Sequence, residues 1–277
     1  MRFEDFARVH GLILDSLQLD RWIPTPTEDH PRSSNGRYKF LGNVGFVQNW
    51  ATMEKPATWF AEGHTIDSPQ IKRSIEESRI RQAESADRAS KKAGWILHQT
   101  ELKTHPYLAS KGFPEELGNV WEKDGKQILV IPMRIDGRIV GVQLIDDEGN
   151  KKFLHGQTTK GASFCMNAKG IPIFCEGYAT GLSVRECMKA SNIKYAIYVC
   201  FSASNMKHIA RTVGGGFIVC DNDPNCVGQK SAIETGKPYW LSETVGDDFN
   251  DYHQREGTFR ASQNLKKTLI NSGLKIT

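Results

Sequence analysis

Two carboxylates one residue apart, Asp221 and Asp223, follow directly on the apolar run "GFIVC", and Glu176 closes the similar run "IPIFC". Further along, "GDDFNDY" carries Asp247, Asp248 and Asp251 after a short strand-like segment around "KPYWLS". Buried parallel strands read as near-continuous apolar runs, and the functional crevice of an open α/β sheet lies beyond the carboxyl ends of its strands. If these runs are neighbours, four or more carboxylates meet on one sheet edge. Like charges at that spacing raise one another's pKa and destabilise the fold unless cations neutralise them. Oxygen-only donors without nearby histidine or cysteine favour a hard divalent ion, Mg²⁺ or Mn²⁺, and such sites handle phosphates. Taken singly, each acid reads as a turn residue or helix cap, because aspartate serves both purposes in loops.

The elements that must position these acids alternate. From Gly170 the order is strand, helix, strand, helix, strand, helix: "IPIFCE", "TGLSVRECMKAS", "YAIYVC", "NMKHIARTV", "GFIVCD" and "GQKSAIETG". That order predicts a parallel sheet covered on both faces. Upstream, "QILVIPMRIDGRIVGVQLIDDEGNKKFL" is divided by Asp136-Gly137 and Glu148-Gly149, two hairpin turns of a meander. The charged stretch from Ser68 to Thr100, with a Ser-Pro start, predicts one long, mostly solvated helix joining two parts of the molecule. "GRYKFLGNVGFVQNW" predicts a hairpin around Gly42-Asn43. Residues 1–20 place Phe3, Phe6, Val9, Ile13, Leu14 and Leu17 at helical spacing. The fold class expected is α/β.

The bulk figures exclude little. Of the 277 residues, 25% are charged and 39% hydrophobic, an ordinary globular composition. The net charge of +4 is compatible with a polyanionic partner without selecting one. The N-terminus shows acidic residues before any apolar run and no small-residue cleavage site, so no signal peptide is expected, and no membrane span is expected either. All six cysteines lie in the C-terminal half, mostly in apolar runs, and read as reduced thiols of a cytoplasmic protein. The nearest two are Cys220 and Cys226, too far apart for a zinc-binding pair, so no zinc is expected.

The string "CEGYATGLS", followed by "VCDNDPNCVGQKSA" and "DDFNDY", resembles the Toprim domain shared by bacterial DnaG-type primases, topoisomerases and related nucleases. The likeness is nearest to the primases of phages and conjugative plasmids, and it covers residues 100–257 well. It implies a Rossmann-like parallel sheet over residues 169–277. It implies that Glu176, Asp221 and Asp223 are the core metal and acid/base residues, that Asp248 (or Asp247) and Asp251 add ligands, and that one to three Mg²⁺ or Mn²⁺ ions bind. Gly228, Gln229 and Lys230 fit the family's Gly-Gln-Lys, where Lys230 would face phosphate. Residues 101–168 resemble the basic α+β half of the primase polymerase domain, with Lys151, Lys152 and Lys160 toward template and nucleotide; their plain alternative is a solvated hairpin edge.

Residues 67–100 would then be a helical linker, and residues 1–66 resemble more weakly the leading domain of phage primases, here without zinc-binding cysteines. In that domain Arg37, Tyr38, Lys39, Phe40 and Trp50 offer basic and stacking groups to single-stranded DNA, or the rings form the core of a small sheet. The implied activity is synthesis of short RNA primers on single-stranded DNA from nucleoside triphosphates. It would serve phage or plasmid replication in the cytoplasm of a bacterial cell or phage-infected host. No helicase domain is evident, so a separate replicative helicase is the implied partner. Thr180 stands where cellular primases have an aspartate, which puts one metal ligand in doubt. The alternatives are a Toprim nuclease and a catalytically weak module that binds single-stranded DNA.

Overall fold

Alternating apolar runs and turn residues fold into three sheets and seven helices in the computed structural model, which describes residues 1–53, 55–65, 69–224 and 226–275. The chain divides into two compact units, residues 1–85 and 86–277.

In the first unit, helix α1 (Phe3–Val9) precedes an antiparallel sheet of β1 (Trp22–Thr25), β2 (Gly36–Phe40), β3 (Val44–Asn49) and β4 (Ala57–Phe60), in sequence order. The helix expected over residues 1–20 is thus shorter. Gly11 at φ +74° is left-handed, where glycine meets no Cβ penalty, and the Leu12 N–H turns back to the Ala7 carbonyl. Leu14 and Leu17 still pack, as loop residues, against a core of Phe3, Leu12, Tyr38 and Val47. The hairpin at Gly42-Asn43 forms, with Gly42 at φ +89°. Helix α2 (Pro69–His98) matches the long charged stretch; its expected start at Ser68 and the boundary between residues 66 and 67 lie outside the described residues.

The second unit holds two sheets on one core. β5 (Glu101–Lys103), β6 (Gly118–Lys123), β7 (Lys126–Ile135), β8 (Arg138–Ile145) and β9 (Lys151–Phe153) form an antiparallel meander, and the short helix α3 (Pro106–Ser110) lies between β5 and β6. Asp136 and Gly137 both take positive φ at the β7–β8 turn, as a two-residue hairpin of this kind requires. The second sheet runs β10 (Phe164–Lys169), β12 (Tyr195–Val199), β11 (Ile171–Cys175), β13 (Phe217–Val219), β14 (Tyr239–Trp240). Its last four strands are parallel and β10 is an antiparallel edge.

Its crossovers are α4 (Tyr178–Ala190), α5 (Ala203–Val213) and α6 (Val227–Ile233), and α7 (Phe249–Asn271) closes the described chain. The period of two sorts the strand residues between faces. Ile173, Cys175, Phe217 and Val219 pack with Leu182 of α4 and Leu265 of α7, while Phe174 and Ile218 meet Met206 and Ile209 of α5 and Ala232 of α6. Both faces are covered, which is why these strands read as unbroken apolar runs. Truncating fully buried Phe217 to alanine would cost about 3–5 kcal/mol. Among the described residues no helix is long and apolar enough to cross a membrane.

Candidate active site

The parallel strands end on one edge, and three acids sit there. Glu176 directly follows β11, Asp221 lies two residues past β13, and Asp248 is the N-cap of α7. Gly228 lets α6 come in against the β13 end, since a Cβ there would lie 2.8 Å from the Asp221 carbonyl oxygen. Asp223 is exposed in the loop before α6 and joins the same field.

The electrostatics of this edge run against its acids. Burial pushes the Asp221 carboxyl up to about 8, and the charges of Asp248, Glu176 and Asp223 push the same way, with Lys151 opposing. Glu176 is raised by burial and by Asp223; Lys151 and the Ala203 N–H at the start of α5 hold it down. Asp248 is raised by burial, partly offset by the Asp251 N–H and by Lys111. Asp221 Oδ1 is buried without a hydrogen-bond partner. An unpaired buried carboxylate oxygen beside three other acids is a free-energy cost that an arriving cation would remove.

That donor set fits a hard divalent ion. Among the described residues no group of three or more His, Cys, Asp or Glu side chains is arranged to hold an ion by itself. Mg²⁺ does not require such a cage, because it is held by one or two carboxylates and completes its shell with water and phosphate oxygens. Asp221 and Asp248 are the pair that would hold it.

The other expected residues separate. Lys151 lies with its Nζ 6.0 Å from the centre of the Tyr107 ring, and its charge reaches both Glu176 and Asp221. Lys152 alternates to the other face of β9, beside Asp146. Lys160 is exposed in a loop that Asn205 staples to β12, accepting from the Gly161 N–H at 2.7 Å and donating to the carbonyls of Ala162 and Cys200. Lys230 is on the exposed side of α6, and Gln229 donates to Tyr239 Oη at 3.3 Å. Asp247 pairs with Arg255 at 2.7 Å and accepts from Ser242, so Asp248 is the acid of that pair that faces Asp221. Asp251 completes a capping box, accepting from the Asp248 N–H at 3.1 Å while its own N–H donates to Asp248 at 2.9 Å. Thr180 is 1% exposed, and its hydroxyl has no partner.

In the first unit, Arg37 and Lys39 share one face of β2. Arg37 donates to Gln48 and stacks 4.3 Å from the Trp22 ring centre. Burial draws the Lys39 ammonium pKa down, with Asp20 opposing. Tyr38 points the other way into the core and donates to the Ser16 carbonyl at 2.8 Å; Phe40 is half-buried there, and Trp50 is exposed.

Sequence reading passed over Tyr107, Lys111 and Asn250. Asn250 is fully buried and donates to the Lys111 carbonyl at 2.8 Å and to Ser183 Oγ at 2.9 Å, tying α3 and α4 to the first turn of α7. No spacing signal connects residues so far apart in the chain; only "HPYLASK" standing just before the meander marked the segment.

No family model matches the chain. Over 191 residues, 63% of the chain, it is 22% identical to DNA primase TraC of Escherichia coli, and the match spans 17% of that protein's length. Among solved structures, it is similar to the primase fragment of the bacteriophage T7 primase-helicase protein, with a TM-score of 0.40, 18% identity, 57% of this chain and 68% of that one. A T7 lagging-strand polymerase complex, with primase domains bound to an RNA/DNA hybrid and dTTP, gives a TM-score of 0.42 at 18% identity over 55% of this chain and 82% of that one. The chain is therefore similar, at low identity, to a DNA primase.

Proposed function

We propose that this chain is a metal-dependent nucleotidyltransferase of primase type that makes short RNA primers on single-stranded DNA, with residues 169–277 acting as a Toprim-like catalytic domain. The observation that carries the reading is Asp221, its carboxyl raised to about 8 among three other acids at the end of parallel strands. The similarity to DNA primase TraC supports the same reading.

Bound Mg²⁺ or Mn²⁺ would lower the pKa of a 3′-hydroxyl and neutralise charge on the transferring phosphoryl group. Asp221 and Asp248 hold the ion, with Asp223 at the exposed rim. Glu176 serves as a further ligand or as the proton acceptor, a role its raised carboxyl suits. Lys151 draws the triphosphate toward the acids, while Lys152, Lys160 and Lys230 attract nucleic acid along the approach. Arg37 and Lys39, with Trp22, offer the first unit's surface to single-stranded template. The partners are a DNA template, nucleoside triphosphates and a separate replicative helicase, in the cytoplasm of a bacterium or phage-infected host.

The test is incubation of the protein with single-stranded DNA, all four ribonucleoside triphosphates and Mg²⁺ or Mn²⁺, beside the Asp221→Asn/Asp223→Asn variant. A ladder of short RNAs, lost in the variant, is expected. Shortened DNA would mean a nuclease, and an unchanged template without products would leave a binding module.

A further inference from the structure

Phe153 is 44% exposed on β9, the last strand of its sheet, where a large apolar ring is a liability unless something covers it. Its neighbours identify that cover. Lys151 and Phe153 share one face of β9, paired with Ile145 and Gln143 of β8. Ile145 is fully buried in the core that also holds Cys175 and Val219, the last residues of β11 and β13. That face of the meander therefore turns toward the strand ends that carry the acids. The Phe153 ring meets the Phe201 ring at 85°, with centres 6.3 Å apart. Phe201, half-buried just past β12, donates its N–H to the Glu176 carbonyl at 2.9 Å. It also holds φ at +67°, a left-handed backbone that costs a phenylalanine free energy, and strain of this kind collects at functional sites.

A half-open ring steadied by a second ring can receive a third planar group, and a nucleobase is the planar group that a phosphate site brings with it. Alternate residues of a strand stand roughly 7 Å apart on one face. Lys151 and Phe153 thus offer a cation and an aromatic face at about the separation between the phosphates and the base of one nucleotide. We propose that Phe153 is the base-stacking residue for the incoming nucleoside triphosphate, with Phe201 bracing its ring beside Glu176. The proposal rests on the nucleotidyltransferase reading above and deepens it, since it supplies a contact for the base where the acids and Lys151 meet only metal and phosphate. Stacking tolerates every base, so all four ribonucleotides are served alike.

The experiment compares wild type, Phe153→Ala and Phe153→Trp by titration calorimetry with Mg²⁺ and either ATP or inorganic tripolyphosphate, which carries the phosphates without a base. Phe153→Ala is expected to bind ATP about tenfold more weakly and tripolyphosphate as wild type does, while Phe153→Trp keeps its ATP affinity. In primer synthesis the half-saturating concentration of each ribonucleoside triphosphate should rise by a similar factor, with kcat little changed. A ring that serves only the fold predicts a lower Tm and equal losses for both probes, and that result overturns the proposal. Single-stranded DNA affinity that falls while ATP binding holds would assign the ring to the template and overturn it too. Wild-type protein that binds neither probe and incorporates no nucleotide would remove the underlying reading as well. Active wild type with Phe153→Ala indistinguishable from it removes this inference alone.

Discussion

Asp20 in the first unit and the three acids at the strand ends of the second are treated in opposite ways. In the first, Asp20 takes a two-pronged hydrogen bond from Arg81, one arm at 2.7 Å, which holds its carboxyl below the usual carboxylate range. Arg37, on β2 of the same unit, is met by Gln48 and Trp22. In the second unit, Glu176, Asp221 and Asp248 all sit above the usual range, each raised first by burial and facing other acids. A scaffold satisfies its charges internally; a site leaves a repulsion for its ligand to relieve. Among these four acids the carboxyl is lowered where an arginine pairs with it and raised where burial is met by other acids.

The contrast can be broken at several points. Glu176→Gln is expected to lower nucleotide incorporation by at least about a hundredfold with the fold intact, measured by primer extension beside circular dichroism. Unchanged synthesis would remove Glu176 from the reaction. Next, Arg37→Ala/Lys39→Ala should weaken single-stranded DNA binding about tenfold and lower the salt slope by about two, read by fluorescence anisotropy at several salt concentrations. An unaltered slope would leave that face as scaffold.

The stability predictions carry opposite signs. Asp221 ionises near 3.8 when unfolded and near 8 in the fold. Between those values the native state keeps a proton that the unfolded chain has lost, so stability falls as pH rises toward 8. Without metal, Asp221→Asn should therefore raise Tm by about several degrees at pH 8, by roughly a third as much at pH 5 and hardly at all at pH 3. Asp20 is lowered in the fold, so its contribution is present above its unfolded value and lost as pH falls through its folded one. Asp20→Asn should cost no more than about a few degrees near pH 7, and nothing in strong acid, by differential scanning fluorimetry. If both variants showed the same slope with pH, the distinction between the units would fail.

Much of the fold was legible locally. Positive φ at Asp136, Gly137 and Gly42 was announced by turn residues, and the apolar runs at 171–175 and 217–219 became buried parallel strands. The N-terminal helix was over-extended because Leu14 and Leu17 keep a helical spacing that packing, rather than helix, explains. Glu176, Asp221 and Asp223 were found as candidate residues because they stand at or just past the ends of apolar runs, where residue type and position are both visible. Asp247 and Asp248 could not be told apart, since adjacent aspartates carry the same signal until one meets Arg255 and the other caps a helix.

The sequence alone determined the order of elements from β11 onward, the acids at the strand ends and the lysines of the β9 hairpin, because these depend on periodicity and turn chemistry within a few residues. Only the tertiary structure decided that Lys151 rather than Lys152 faces the acids, that Asp251 is bound up in a capping box, and that Asn250 fastens the end of α3 to the first turn of α7 beside Asp248. Those outcomes rest on contacts between residues as many as 139 positions apart, and on the field that burial and neighbouring charge create together.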